Sequence, residues 1–243
     1  LYEKGAQVNI LDLKDYWMPG MEGLQQRVNA SKQNNAYFVA NENTNSFKRD
    51  RLISKVQFDW NITKELSLMG RFSRDAYTEI RQSKRAFSTT TNTTGYYNVY
   101  DFYNKETNME LNLSYKKKIN EQWNVNGFIA TNKRYVYGQG ISNTAGSLVI
   151  PQLYTISNGV PGTITYSSSW YEKAVYSIYG MASIDYKGFA YLDLTGRNDW
   201  SSTLPKANRS YFYPSASLSL LFSEMFTMPE WLNYAKLRAG SAQ

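Results

Sequence analysis

The segment AVYSIYGMASIDYKGFAYLDLTGRNDWSSTLPKANRSYFYPSASLSLLF, residues 174–222, decides the fold. Every second residue from Ala174 (Tyr176, Ile178, Gly180, Ala182, Ile184 and Tyr186) is uncharged, while Ser177, Ser183 and Asp185 lie between them. After a turn at Tyr186-Lys187-Gly188, Ala190, Leu192, Leu194 and Gly196 alternate with Tyr191, Asp193, Thr195 and Arg197. A third run sets Phe212, Pro214, Ala216, Leu218, Leu220 and Phe222 against Tyr213, Ser215, Ser217 and Ser219. A period of two marks strands with one apolar and one polar face. A soluble antiparallel sheet shows this alternation, and so does a transmembrane β-barrel with its apolar face toward lipid. Length separates them. Soluble strands average about five or six residues, whereas a tilted membrane strand needs about nine to eleven. These runs reach the longer value, so the sequence predicts a membrane barrel.

The same stretch carries ordered motifs. Arg197-Asn198-Asp199-Trp200-Ser201-Ser202 is followed by Tyr213-Pro214-Ser215-Ala216-Ser217, Phe222-Ser223-Glu224-Met225-Phe226 and Leu237-Arg238-Ala239-Gly240. The series resembles the barrel of SusC/RagA-type TonB-dependent outer-membrane transporters, with their R-x-D-x-S-S hairpin tip, Y-P-S-x-S strand start and F-S-E-x-F strand end. The motif residues are Arg197, Asp199, Trp200, Ser201, Ser202, Tyr213, Pro214 and Ser215. The resemblance covers about the last seventy residues by motif and the rest by pattern.

Upstream, the alternation recurs. Leu52, Val56, Phe58 and Trp60 lead through a short turn to Leu66, Leu68, Gly70 and Phe72. Met109, Leu111, Leu113 and Tyr115 lead through Lys117–Gln122 to Trp123, Val125, Gly127 and Ile129. A last strand is expected over Trp231–Ser241. Residues Arg74–Thr107 and Asn132–Tyr171, rich in Thr, Gly, Pro and Tyr, read as long loops. Short turns alternating with long loops are the pattern of outer-membrane barrels. Trp60, Trp123, Tyr186, Phe189, Phe222 and Trp231 fall beside the short turns, as a girdle at one membrane boundary. Residues 1–50 read as an extracellular loop region, with short helical turns at Asp12–Trp17 and Glu22–Lys32 and Asn-rich loop around Asn34 and Asn41. Tyr37, Phe38 and Val39 are expected to pack onto something. Residues 51–243 read as four β-hairpins. The fold class is thus all-β: an antiparallel transmembrane β-barrel segment of about eight strands of a larger barrel.

Composition narrows the chemistry. The chain has no Cys and no His among 243 residues, which removes disulfides, thiolate ligands and the usual general base. A net charge of +7 is scattered, with no basic helix of the kind that binds nucleic acid. Mean hydropathy is −0.54. Asp199 beside Ser201 and Ser202 is an acid–hydroxyl cluster better read as turn-stabilising. No catalytic set, metal spacing or cofactor motif emerges, and the chain does not read as an enzyme.

The resemblance implies what the residues alone do not. It implies import of oligosaccharides or peptides across the bacterial outer membrane, powered by TonB, with a SusD-type surface lipoprotein as lid. The sequence shows neither a plug domain nor a TonB-contact segment, and both ends read as cut, so a longer parent chain is expected to supply them. The partners expected are outer-membrane lipid, the SusD-type lipoprotein, the TonB complex, and a glycan or peptide substrate, with no nucleic acid. Tyr166, Trp170, Tyr171 and Trp200 are the candidate substrate-binding aromatics. Two rivals stay open: a small closed barrel serving as adhesin or scaffold, and a siderophore-type TonB-dependent receptor.

Overall fold

The structure, a computed structural model, describes residues 10–27 and 33–243. Eight strands, β1 (Asn45–Asn61), β2 (Leu66–Thr89), β3 (Asn92–Lys118), β4 (Trp123–Ala145), β5 (Ile164–Tyr186), β6 (Ala190–Ser201), β7 (Ser210–Leu221) and β8 (Lys236–Ala242), form one sheet in sequential order. The order is linear, so β1 and β8 each have a single neighbour, and these strands do not close on themselves as a small barrel. No described helix is long and apolar enough to cross a membrane.

Register confirms the facing read from the sequence. Ile184 stands across from Leu192, Leu192 from Leu218, and Leu218 from Ala239. On the other face, Ser183 opposes Asp193, Asp193 opposes Ser217, and Ser217 opposes Gly240. Ile178, Leu194, Phe212 and Leu218 are exposed despite being apolar. Such an outward apolar face is stable only against hydrocarbon or another covering surface.

The apolar band has measurable limits. Lys133 lies over the Tyr176 ring, 5.1 Å from its centroid, and Tyr176 faces Trp200. Ten residues away along the same strands, the Trp123 and Tyr186 rings meet at 4.4 Å and Tyr186 faces Ala190. Between these rows the apolar-face positions of β4, β5 and β6 carry no charge. A spacing of about ten residues is what a tilted strand needs to cross the hydrocarbon core, and amphipathic rings settle at its two boundaries.

The turns beside the lower row are built from side-chain acceptors. Asn120 Oδ1 accepts from the amides of Gln122 and Trp123 at 2.8 and 2.9 Å, and Thr63 Oγ1 accepts from Glu65 and Leu66. Between β5 and β6, Lys187 and Gly188 both take positive φ, 51° and 69°. Three residues, Lys187 to Phe189, join the strands, as many as the sequence predicts, and Phe189 N donates to Tyr186 O at 3.2 Å to close the turn.

Two expected loops are strands. β2 continues through Arg74 to Thr89 and β3 starts at Asn92, so only Thr90 and Thr91 join them. β4 likewise continues to Ala145, leaving 146–163 as the true loop. Beyond the apolar band both faces are polar, so hydropathy alternation vanishes while the hydrogen-bonded ladder goes on. The last strand begins at Lys236, because a turn closed by Leu232 N on Pro229 O interrupts the run from Trp231. Pro214 sits inside β7 without a bulge, facing Gly196. Its carbonyl accepts from Gln243 N at 3.2 Å, so its missing N–H faces the position just past β8.

The chain divides into two compact units. One comprises 52–76, 105–137 and 172–243 and holds the banded region. The other comprises 1–51, 77–104 and 138–171, and its core gathers Tyr97, Ala145 and Leu148 with Phe87, Val99, Tyr154 and Ile156. Its Asn-rich segment is ordered. Asn35 caps a helix, α1 (Ala36–Glu42), accepting from Tyr37 N at 2.9 Å, and α1 buries Phe38 completely. Asn34 Oδ1 accepts from Thr90 N, Asn43 Oδ1 accepts from Ala86 N, and Asn35 Nδ2 donates to Leu13 O. The expected helical turn at Asp12–Trp17 appears as a 3-10 helix at Ile10–Leu13. In place of one at Glu22–Lys32 there are turns and a Trp17–Gln26 bridge, with residues 28–32 outside the described part.

Replacing Leu194 by Arg puts a charge mid-band and is expected to cost the full-length protein about 2–4 kcal/mol. Leu218→Arg, nearer the lower row, is expected to cost less, and Thr195→Arg on the polar face least. Urea unfolding in detergent gives the ranking, and equal losses would refute the facing.

Candidate functional site

The polar face in the banded unit carries a continuous side-chain network. Glu110 of β3 pairs with Arg71 of β2 and accepts from the Tyr179 hydroxyl of β5 at 2.8 Å. The Arg197 guanidinium of β6 lies 4.9 Å from the Tyr179 ring centre. It donates to Asp199 Oδ1 at 2.8 Å and to the buried Ser177 Oγ at 2.9 Å. Strand periodicity explains the R-x-D spacing, since positions two apart share a face. Both residues lie inside β6 rather than at the hairpin tip that the motif implies. Tyr213 faces Arg197, Pro214 faces Gly196 and Ser215 faces Thr195, so the two motifs are adjacent rows of one sheet. Ser202 Oγ accepts from Ala174 N at 2.8 Å and Ser201 Oγ contacts Thr203 Oγ1. These hydroxyls hold the β6–β7 connection, and Arg197 and Asp199 satisfy each other. The arrangement ties β2, β3, β5 and β6 together through their side chains.

The polar face of the other unit is different. Arg49 of β1 lies 4.8 Å over the Tyr77 ring, Tyr77 meets Phe102 at 5.8 Å, and Phe102 stacks on Tyr100 at 6.1 Å. Two buried glycines of β4 seat the next tyrosines. A Cβ on Gly140 would come 2.4 Å from the Tyr100 hydroxyl, and one on Gly138 would come 2.3 Å from the Tyr171 ring. Rings from β2, β3 and β5 thus line one face, with β4 contributing the gaps.

Charge gathers at one end of this face. Glu79, 1% exposed, receives Arg49 on Oε2, with Nε at 2.6 Å, and Arg81 on Oε1. The hydrogen bond from Arg81, and then that from Arg49, hold its carboxyl below its ordinary value, against the opposing effect of burial. The sequence reading missed this set because it took these residues for loop. The signal was the two-residue spacing of Glu79 and Arg81 within a run that also holds Tyr77.

Of the aromatics that the sequence singled out, Tyr171 joins the Gly138 seat. Trp200 stands in the upper boundary row against Tyr176. Tyr166 and Trp170, each 70% exposed, occupy even positions of β5, as Tyr176 does. Among the described residues, no group of three or more Asp and Glu is arranged to hold a metal.

No family model and no curated protein matches the chain. Solved structures do. The RagAB peptide transporter matches with a TM-score of 0.76 at 17% identity, over 90% of this chain and 25% of that one. In fold, the chain is SusC/RagA-like. The RagAB peptide importer in its closed-closed and open-open states matches equally, at 0.76 and 18% identity. The chain therefore spans about a quarter of the length of its RagAB neighbours, which are transporters rather than enzymes. Its eight-stranded sheet is a segment of such a barrel.

Because the Glu79 carboxyl is depressed, its stabilising effect is present above the ordinary value of 4.5 and is lost as pH falls through the lower folded value. Glu79→Gln is expected to lower the melting temperature of the full-length protein at pH 7. The difference should shrink toward zero as the pH drops below the folded value, a trend that thermal melts across pH 3–7 would show.

Proposed function

We propose that this chain is part of the barrel wall of a TonB-dependent outer-membrane transporter that imports peptides. The observation that carries the reading is the match to the RagAB peptide transporter over 90% of the chain. The apolar band between the Lys133–Tyr176–Trp200 and Trp123–Tyr186–Ala190 rows supports placement in a bilayer. The linear strand order disfavours the adhesin reading, which needs a small closed barrel. RagAB is a peptide importer, and this favours a peptide over an oligosaccharide or a siderophore as cargo.

In this reading the banded unit sits in lipid and its polar face lines the lumen. The ring-lined face of the other unit meets the substrate. Tyr171 is the sequence-predicted aromatic best placed for that role, while Trp200 serves as a boundary anchor. A SusD-type lipoprotein closes the entrance and TonB supplies energy through the plug of the parent chain. These parts come from the resemblance.

Cells making the full-length protein should accumulate labelled peptide, and deleting TonB should abolish the accumulation. Uptake that persists without TonB would sink the transporter assignment.

A further inference from the structure

The guanidinium cluster on the face of unit 1–51, 77–104 and 138–171 is built, not scattered. Within that unit the odd positions of β1 and β2 hold Arg49, Arg51, Arg81 and Arg85 against one acid, Glu79. The balance is +3, four minus one. The same face continues across β3, β4 and β5 with uncharged groups. Asn98 Nδ2 donates to Ser142 Oγ at 2.8 Å, Tyr100 lies on Gly140, and Tyr171 on Gly138. All the positive charge of the face therefore sits at its β1–β2 end.

Glu79 spends both carboxylate oxygens on Arg49 and Arg81 and so fixes two guanidiniums on adjacent strands. A guanidinium carries five N–H donors, and one carboxylate cannot use those of two arginines. Arg49 and Arg81 side chains stay 43% and 60% exposed while Glu79 is closed off. Between them opens a groove of about 290 Å³ lined by Asn45, Phe47, Arg49, Glu79, Arg81 and Ser83. The Tyr77 ring flanks Arg49. Planar donors held by a buried acid match a carboxylate, which takes paired N–H groups where a neutral amide takes one.

We propose that this groove binds carboxylates of the peptide cargo, from Asp or Glu side chains or the C-terminus, and biases the protein toward acidic peptides. The inference rests on the peptide-transport reading and adds a charge preference to it. The neutral Tyr, Asn and Ser field beside the groove takes the rest of the peptide without regard to its charge.

The test uses full-length protein in detergent and labelled peptides of equal length bearing Glu, Ser or Lys at the same positions. The variant is Arg49→Gln/Arg81→Gln combined with Glu79→Gln, which strands no buried charge. Wild type should bind the Glu peptide about tenfold more tightly than the Ser peptide, and added salt should erode the gap. The variant should lose the preference and keep its affinity for the Ser peptide. Heat-resistant mobility on a gel establishes that the variant folds. A preference that survives in the variant, or no preference in wild type, overturns the proposal while peptide transport stands. Arginine-dependent binding of an acidic oligosaccharide in place of the Glu peptide overturns the peptide assignment. Failure to bind any of the peptides removes both readings together.

Discussion

A β-strand sends successive side chains to opposite sides, and in this chain the two sides answer to different solvents. Everything else depends on that constraint. A single-residue slip between β6 and β7 would turn Leu192 and Leu194 into the polar face and Asp193 and Arg197 into the apolar one. Register here is therefore fixed by transfer energy, with the ladder hydrogen bonds following. It also explains why the Arg71–Glu110–Tyr179–Arg197 network lies on one side only: the opposite side has nothing with which to satisfy a charge.

This constraint also set what was legible in the sequence. Where one face is apolar, as at Leu192 and Leu218, alternation announced the strand and its facing, and the aromatics beside the short turns announced the lower boundary row. Where both faces are polar, as from Asp75 to Glu106, nothing in hydropathy separated a strand from a loop, and β2 and β3 were read as ending too early. The Glu79 cluster was hidden by that error, since its meaning depends on Arg49 being a cross-strand neighbour. The Asn-rich segment failed for another reason. Asn is common in loops because its amide competes with the backbone. The same ability lets Asn35 and Asn43 tie separate segments together once they are buried or enclosed. Phe38 was the residue that gave the docking away.

Resemblance and geometry supplied different things. The motif around Arg197 pointed to a transporter wall, and the strands show why the motif exists: Arg197, Asp199, Tyr213 and Ser215 form neighbouring rows on the polar face.

Several clamps of the N-terminal segment are amides and hydroxyls. Asn34, Asn35, Asn43 and Thr89 make their bonds without a proton to gain or lose and without a counterion to attract. Acid or brine that loosens the arginine–glutamate knot on β1 and β2 leaves these ties alone. One set of ties in this protein thus responds to acidity and ionic strength, and another set does not.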